Sequence, residues 1–316
     1  MKIACLFPGQ GSQSAGMGLD LCKHFPTAKK LFAQIDQITG RPLSNLCFNG
    51  PAEELKHTVN TQPAILAVSL AAWTCYREAG GPEPAYVAGH SLGEFSALYA
   101  ARVLPLETIV QLVEKRARLM KASPSGAMSA ILGMKYDRLN ELCRKVSQEA
   151  ANQAGVIVIA NFNTEEQIVI SGAPDIVASV NALAKTEGAK AIPLPVGGAF
   201  HSPLMAAASQ EFNNALSACE FNEAYYPIVQ NVTASAQSNG IAIKEILQKQ
   251  MTSSVLWCQT IKYMIDQGVT AFIEIGPGKA LSGMVKRIDK TMQTYNVEDS
   301  SSLSTTVAAL SERVEV

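Results

Sequence analysis

No stretch of this chain is apolar for long enough to cross a bilayer. Its most apolar helical segment, 64–73, falls well short of the roughly 20 residues a span needs. The N-terminus, Met1-Lys2-Ile3-Ala4-Cys5-Leu6-Phe7, runs into Pro8-Gly9 before the core of a signal peptide has accumulated. Charge of one sign is lacking too: 26 Lys and Arg stand against 27 Asp and Glu, a formal net charge of -1. Without a global basic field, neither nucleic acid nor an anionic membrane is an expected partner, and an acidic one must meet a local patch. The seven cysteines (Cys5, Cys22, Cys47, Cys75, Cys143, Cys219, Cys258) never fall as Cys-x-x-Cys or beside a histidine pair. That excludes the usual zinc spacings and gives no disulfide framework, so small buried side chains in a reducing, cytoplasmic setting are expected. No Gly-Lys-Ser/Thr phosphate loop occurs, and Gly9-Gln10-Gly11-Ser12-Gln13-Ser14 lacks the third glycine of a dinucleotide fingerprint. Neither an ATP nor a nicotinamide site is indicated, and no internal repeat appears.

What is present suits a globular enzyme-sized chain. At 316 residues, 47% hydrophobic and 17% charged, it can form one large domain carrying a smaller one. A buried strand is expected at 3–7, feeding the loop 8–13, then a helix apolar nearly all round at 63–78, a strand at 85–89 and a helix at 92–101. Ile109, Leu112, Val113, Ala117 and Met120 recur at helical spacing, and Ser123-Pro124-Ser125-Gly126 ends that helix. The rhythm then changes. Strand 127–132, helix 136–148, strands 156–160 and 167–171, helix 173–185 and strand 191–196 follow in the βαββαβ order of a ferredoxin-like unit. An inserted small domain at 125–196 is therefore predicted within a discontinuous larger domain, 1–124 and 197–316. The latter resumes with a helix at 203–218, a strand at 228–232, helices at 243–251 and 254–267, a strand at 271–275, a helix at 280–288, a strand at 295–297 and a closing helix from 303 whose last residues should fray.

Gly89-His90-Ser91-Leu92-Gly93 stands between a predicted strand and helix. A serine hydroxyl is a weak nucleophile that needs a base for its proton and donors for the oxyanion formed on attack. Gly-x-Ser-x-Gly on a strand-to-helix turn projects the serine, gives the backbone room, and aims the following N–H, that of Leu92, at the developing charge. A plain helix-capping serine would not need both glycines. Four histidines are available as base. His24 and His57 lie in charged stretches, and the ring of His90 should point away from its neighbour's hydroxyl. His201, in the glycine loop Val196-Gly197-Gly198-Ala199-Phe200-His201-Ser202-Pro203 that leaves the insert, is the candidate. Arg116 falls on the apolar face of its helix, so its guanidinium is directed inward, where it must find an anion. A core carboxylate and a substrate carboxylate both meet that need.

Phe7-Pro8-Gly9-Gln10-Gly11-Ser12-Gln13, Thr61-Gln62-Pro63-Ala64, Gly89-His90-Ser91-Leu92-Gly93-Glu94, Arg116, Gly198-Ala199-Phe200-His201-Ser202-Pro203-Leu204-Met205 and Gly276-Pro277-Gly278-Lys279 occur in this order. Together they resemble the malonyl-CoA:acyl-carrier-protein transacylase family, over residues 3 to about 298. The resemblance implies an α/β-hydrolase-like large domain with a ferredoxin-like insert. It also implies Ser91 as nucleophile, His201 as base, the N–H groups of Gln10 and Leu92 as oxyanion donors, and Arg116 as the partner of the malonyl carboxylate. Gln250 would lend a backbone carbonyl to the histidine, and Phe200 would favour malonyl over methylmalonyl. The implied reaction is a ping-pong transfer of malonyl from malonyl-CoA to an acyl carrier protein, for fatty-acid or polyketide synthesis. A monomer without metal or other cofactor suffices, the CoA thioester being substrate. Hydrolysis of acyl-carrier or acyl-CoA thioesters by the same serine and histidine is the alternative, and the inward Arg116 argues against it. Lys279, Lys286, Arg287 and Lys290 cluster where an acidic carrier could dock.

Overall fold

A computed structural model describes residues 1–149 and 155–311. Its strands are β1 (Ile3–Phe7), β2 (Tyr86–Gly89), β3 (Ala127–Leu132), β4 (Ile157–Thr164), β5 (Gln167–Gly172), β6 (Lys190–Pro193), β7 (Ile228–Val229), β8 (Ala236–Gln237), β9 (Ala271–Ile275) and β10 (Gln293–Val297). Six of these form one sheet in the order β10-β9-β1-β2-β7-β8. β1 runs parallel to both β2 and β9, setting Phe7 beside Gly89 and Ile3 beside Ala271. A strand with parallel neighbours and both faces covered reads as an unbroken apolar run, and all five residues of β1 are buried. Only the edge strand β8 is antiparallel to its neighbour in this sheet.

The remaining strands make a second sheet, β4-β5-β3-β6, antiparallel throughout. Helices Tyr136–Glu149 and Pro174–Thr186 complete the βαββαβ order. Alternation along its strands sends Ile131, Ile168 and Ile170 into a core with these helices, while Met128, Ala130 and Val169 join the main core. The fold is thus an α/β-hydrolase-like large part with a ferredoxin-like insert. No helix among the described residues is long and apolar enough to cross a membrane. Of the seven cysteines, all free, Cys22 and Cys219 are partly exposed and the rest buried.

Several boundaries differ from the sequence reading for identifiable reasons. The helix expected at 63–78 spans Thr58–Glu78 with Pro63 inside it. Proline leaves the carbonyl four residues back without its helical donor, and here Arg41 Nη2 donates to that Val59 oxygen at 2.8 Å. β7 stops at Val229 instead of 232, because Asn231 gives its N–H to the Glu94 carboxylate rather than to a strand. β4 runs on to Thr164 through Asn161-Phe162-Asn163, a polar run that looks like loop, with two register shifts. The helix expected at 203–218 opens as a 3-10 turn, Pro203–Met205, capped by the Ser202 hydroxyl before Ala206–Ser217. Those expected at 243–251 and 254–267 are Gly240–Leu247 and Trp257–Asp266, separated by a 3-10 turn at Gln250–Thr252. Four helices between Leu19 and Leu55, the longest Pro26–Thr39, and the strand β8 had no counterpart in the sequence reading. The last five residues, where fraying was expected, lie outside the described residues.

Candidate active site

β2 ends at Gly89, and the chain turns through Ser91, held at φ 50, into helix Gly93–Ala100. A positive φ is unfavourable for a residue with a side chain and persists only where its surroundings impose it. Here the imposition is visible. The Asn231 carboxamide spans the elbow, its Oδ1 accepting from the Ser91 N–H and its Nδ2 donating to the Gly89 carbonyl, both at 2.7 Å. The two glycines meet a steric need: a Cβ on Gly89 would fall 1.9 Å from the Gly93 carbonyl carbon, and one on Gly93 would fall 2.0 Å from the Phe7 oxygen.

His201 also sits at positive φ, 57, in the loop after β6. Its Nε2 is 2.8 Å from Ser91 Oγ, and its Nδ1 faces the carbonyls of Gln250 at 2.9 Å and Ser253 at 3.1 Å. Carbonyls only accept, so Nδ1 carries the hydrogen and Nε2 is left as acceptor for the serine proton. Two backbone carbonyls thus stand where a hydrolase triad places a carboxylate. Burial, and after it the nearby Arg116 charge, push the His201 pKa down to about 3, so the imidazole is neutral and free to accept a proton at ordinary pH.

Arg116, on helix Leu106–Ala122, is only 1% exposed. Nη1 donates to Gln62 Oε1 at 2.7 Å; Nη2 donates to Gln250 Oε1 at 3.0 Å and to Ser91 Oγ at 3.1 Å. Burial lowers its pKa to about 10, which leaves it charged at neutral pH, and Glu94 opposes that shift. No carboxylate lies within ion-pair distance of it among the described residues, so the core ion pair considered from sequence is not formed directly.

Ser91, His201 and Arg116 adjoin a cavity of ≈ 260 Å³ that Gln10, Leu92 and Phe200 also line. The large sheet contributes its loops, and the insert contributes Met128, Asn161, Asn163 and Val169. His24 and His57 are exposed, whereas His90 turns its Nε2 to Asn163 Oδ1 at 2.8 Å and packs edge-on against Trp257. The cation cluster is partly occupied: Lys279 pairs with Glu298, and Arg287 donates to Gln167. Sequence reasoning gave no role to Gln62, Glu94, Asn163 or Asn231. The one available signal was Glu94 itself, the only charged residue of the helix Gly93–Ala100.

A serine hydroxyl in hydrogen-bond contact with a histidine acceptor nitrogen and a buried guanidinium suits acyl transfer from an anionic acyl thioester. Comparison with known proteins agrees. The family described as the acyl transferase domain matches residues 5–308. The malonyl CoA-acyl carrier protein transacylase of Bacillus subtilis (strain 168) is 44% identical over 315 residues, 98% of each chain. An acyl carrier protein S-malonyltransferase from Vibrio cholerae superposes with a TM-score of 0.91 at 39% identity, covering 96% of this chain and 99% of its own. A malonyl-transacylase solved in complex with its type II PKS acyl-carrier protein gives 0.93 at 37% identity, over 98% and 100%. With the fold, the ordered motifs and the match over nearly its whole length in agreement, the chain belongs to the acyl transferase domain family.

Proposed function

We propose that this chain transfers the malonyl group of malonyl-CoA to the phosphopantetheine thiol of an acyl carrier protein, through a malonyl ester on Ser91. The observation that carries this reading is the Ser91 hydroxyl bonded at once to the His201 acceptor nitrogen and to the Arg116 guanidinium. His201 takes the Ser91 proton as the oxygen attacks the thioester carbonyl. The tetrahedral oxyanion is held by the N–H groups of Gln10 and Leu92, at the start of a helix whose dipole favours negative charge. Collapse expels CoA thiolate, which leaves as thiol with the proton from His201. In the second half the carrier's thiol gives its proton to His201 and attacks the ester. Ser91 departs as alkoxide and recovers that proton. Arg116 holds the free carboxylate through both halves, and Phe200 limits room beside the acyl α-carbon.

The same reading divides the chain into a catalytic domain of 1–124 and 197–316 and an inserted domain of 125–196. The carrier serves fatty-acid or polyketide synthesis. Brief mixing with malonyl-CoA in the absence of carrier should leave a malonyl adduct on the Ser91 peptide in mass spectra. An unmodified Ser91 under single-turnover conditions would overturn the nucleophile assignment.

A further inference from the structure

A buried guanidinium needs a counter-charge, since its desolvation is otherwise uncompensated. Around Arg116 the groups in direct contact are neutral: the side-chain oxygens of Gln62, Gln250 and Ser91. The carboxylate whose charge acts on it is Glu94, 1% exposed on the first turn of the helix that follows Ser91. Its oxygens receive Gln230 Nε2 at 3.2 Å, the Asn231 N–H at 3.2 Å and Gln250 Nε2 at 2.9 Å. All three partners are placed as donors, an environment fit for a carboxylate. Burial is the largest influence and leaves the Glu94 pKa above the ordinary carboxylate value, the three donors and Arg116 offsetting it only in part.

Gln250 connects the two charges. Its Nε2 hydrogens go to Glu94 and, at 3.0 Å, to the Ser91 carbonyl, while its Oε1 accepts from Arg116. The orientation is forced, because a flipped amide would set oxygen against two acceptors and nitrogen against a cation. A direct Arg–Glu contact would be bidentate and would spend the guanidinium's donors on the protein's own carboxylate. The interposed amide keeps the countercharge one side chain away and leaves Nη2 beside Ser91.

We propose that Glu94 is a positioning residue for Arg116, its carboxylate relayed through the Gln250 side-chain amide to balance the guanidinium while keeping it open to the substrate's carboxylate. This inference rests on the malonyl-transfer reading above. It separates a second role of Gln250, carried by its side chain, from the backbone carbonyl that faces His201.

The test uses the full chain and compares kcat/KM for malonyl-CoA with that for acetyl-CoA, delivered to the same holo carrier. The ratio cancels any general loss of activity. Gln250→Glu preserves the backbone carbonyl but places a carboxylate against Arg116, so the malonyl-to-acetyl ratio should fall about tenfold or more. Glu94→Gln removes the offsetting charge without changing shape. The buried Gln230 Oε1 has no partner and becomes available to the new amide if Gln230 turns, at the cost of the bond its Nε2 gives the Ile243 carbonyl at 3.1 Å. KM for malonyl-CoA should then fall severalfold relative to acetyl-CoA, with thermal unfolding confirming that the variant is folded. Glu94→Gln carries the test alone if Gln250→Glu does not fold. Folded variants whose ratio matches the parent would overturn the relay, since a purely structural role lowers both substrates together. A parent enzyme that moves no malonyl group would instead overturn the function proposed above.

Discussion

The two sheets meet the active site in contrasting ways. The large, mostly parallel sheet supplies it from below with strand ends and a polar network: Asn231 braces the elbow, Glu94 collects three donors, and Gln250 reaches Ser91, Arg116 and His201 at once. The small antiparallel sheet covers it from above with apolar Met128 and Val169 and with side chains re-aimed by irregular pairing in β4. It is tied to the large part by Met128, Ala130 and Val169 in the shared core and by polar contacts, among them His90 to Asn163, the Val255 backbone to Ala160 and Phe162, and Arg287 to Gln167. Two of the non-glycine residues at positive φ, Ser91 and His201, sit within this network. In the proposed function, the chemistry thus rests on the large sheet and the shape of the cleft on the small one.

If that division holds, the largest losses come from the supported pair. Ser91→Ala should lower malonyl transfer by about 10⁴- to 10⁶-fold, and His201→Ala by about 10²- to 10⁴-fold. The double variant should be little worse than Ser91→Ala, because the two residues act as a unit. Single-turnover transfer to carrier gives these numbers. Independent, multiplying losses would break the picture of one coupled pair.

Arg116→Ala should come next. Malonyl transfer should fall about 10²-fold, and acetyl transfer much less, because only malonyl presents a carboxylate to the lost cation. The same variant has a pH signature. Burial first and Arg116 second hold His201 down at about 3, so in the parent the acid limb of kcat/KM should lie well below the ordinary imidazole value near 6.5. With Arg116 gone only burial and the weaker influence of His90 remain as depressing causes, and the acid limb measured with acetyl-CoA should move to higher pH. The stability consequence has the matching sign. Between about 3 and 6.5 the unfolded chain binds a proton that folded His201 refuses, so this contribution is present above 6.5 and lost as pH falls toward 3. A limb that stays in place would show that Arg116 exerts no field at His201.

Much of this was legible in the sequence because periodicity and turn chemistry are local. The apolar run of β1 and the pentapeptide at β2 announce themselves within a few residues, and each element of the βαββαβ unit does so in turn. Helical phase alone sent Arg116 inward. What could not be read was which distant polar groups would meet it. Asn231 lies 140 residues from Ser91 in sequence, and Gln250 lies 134 from Arg116. Their pairing is set by the tertiary path, and the short β7 is a by-product of it, since Asn231 leaves the ladder to serve the elbow. β4 was cut short for the same kind of reason. Asn161 and Asn163 look like loop residues until the irregular pairing with β5 and the neighbouring His90 give them places.

Asn231 and Asn163 therefore offer the finest comparison, two buried asparagines that reach the elbow from opposite sheets. Asn231→Ala leaves the Ser91 N–H and the Gly89 carbonyl without their partner, so the strained turn should relax and kcat should fall while KM changes little. Asn163→Ala removes one hydrogen bond to the His90 ring and loosens the small sheet against the large one. Its effect should be the smallest considered, a severalfold rise in KM for malonyl-CoA, a nearly constant kcat, and a loss of about 1 kcal/mol in unfolding stability. Steady-state kinetics of both variants beside urea melts separate the two signatures. Should Asn163→Ala depress kcat as Asn231→Ala does, the small sheet would share in holding the nucleophile, and the division between fixed chemistry below and adjustable cleft above would fail.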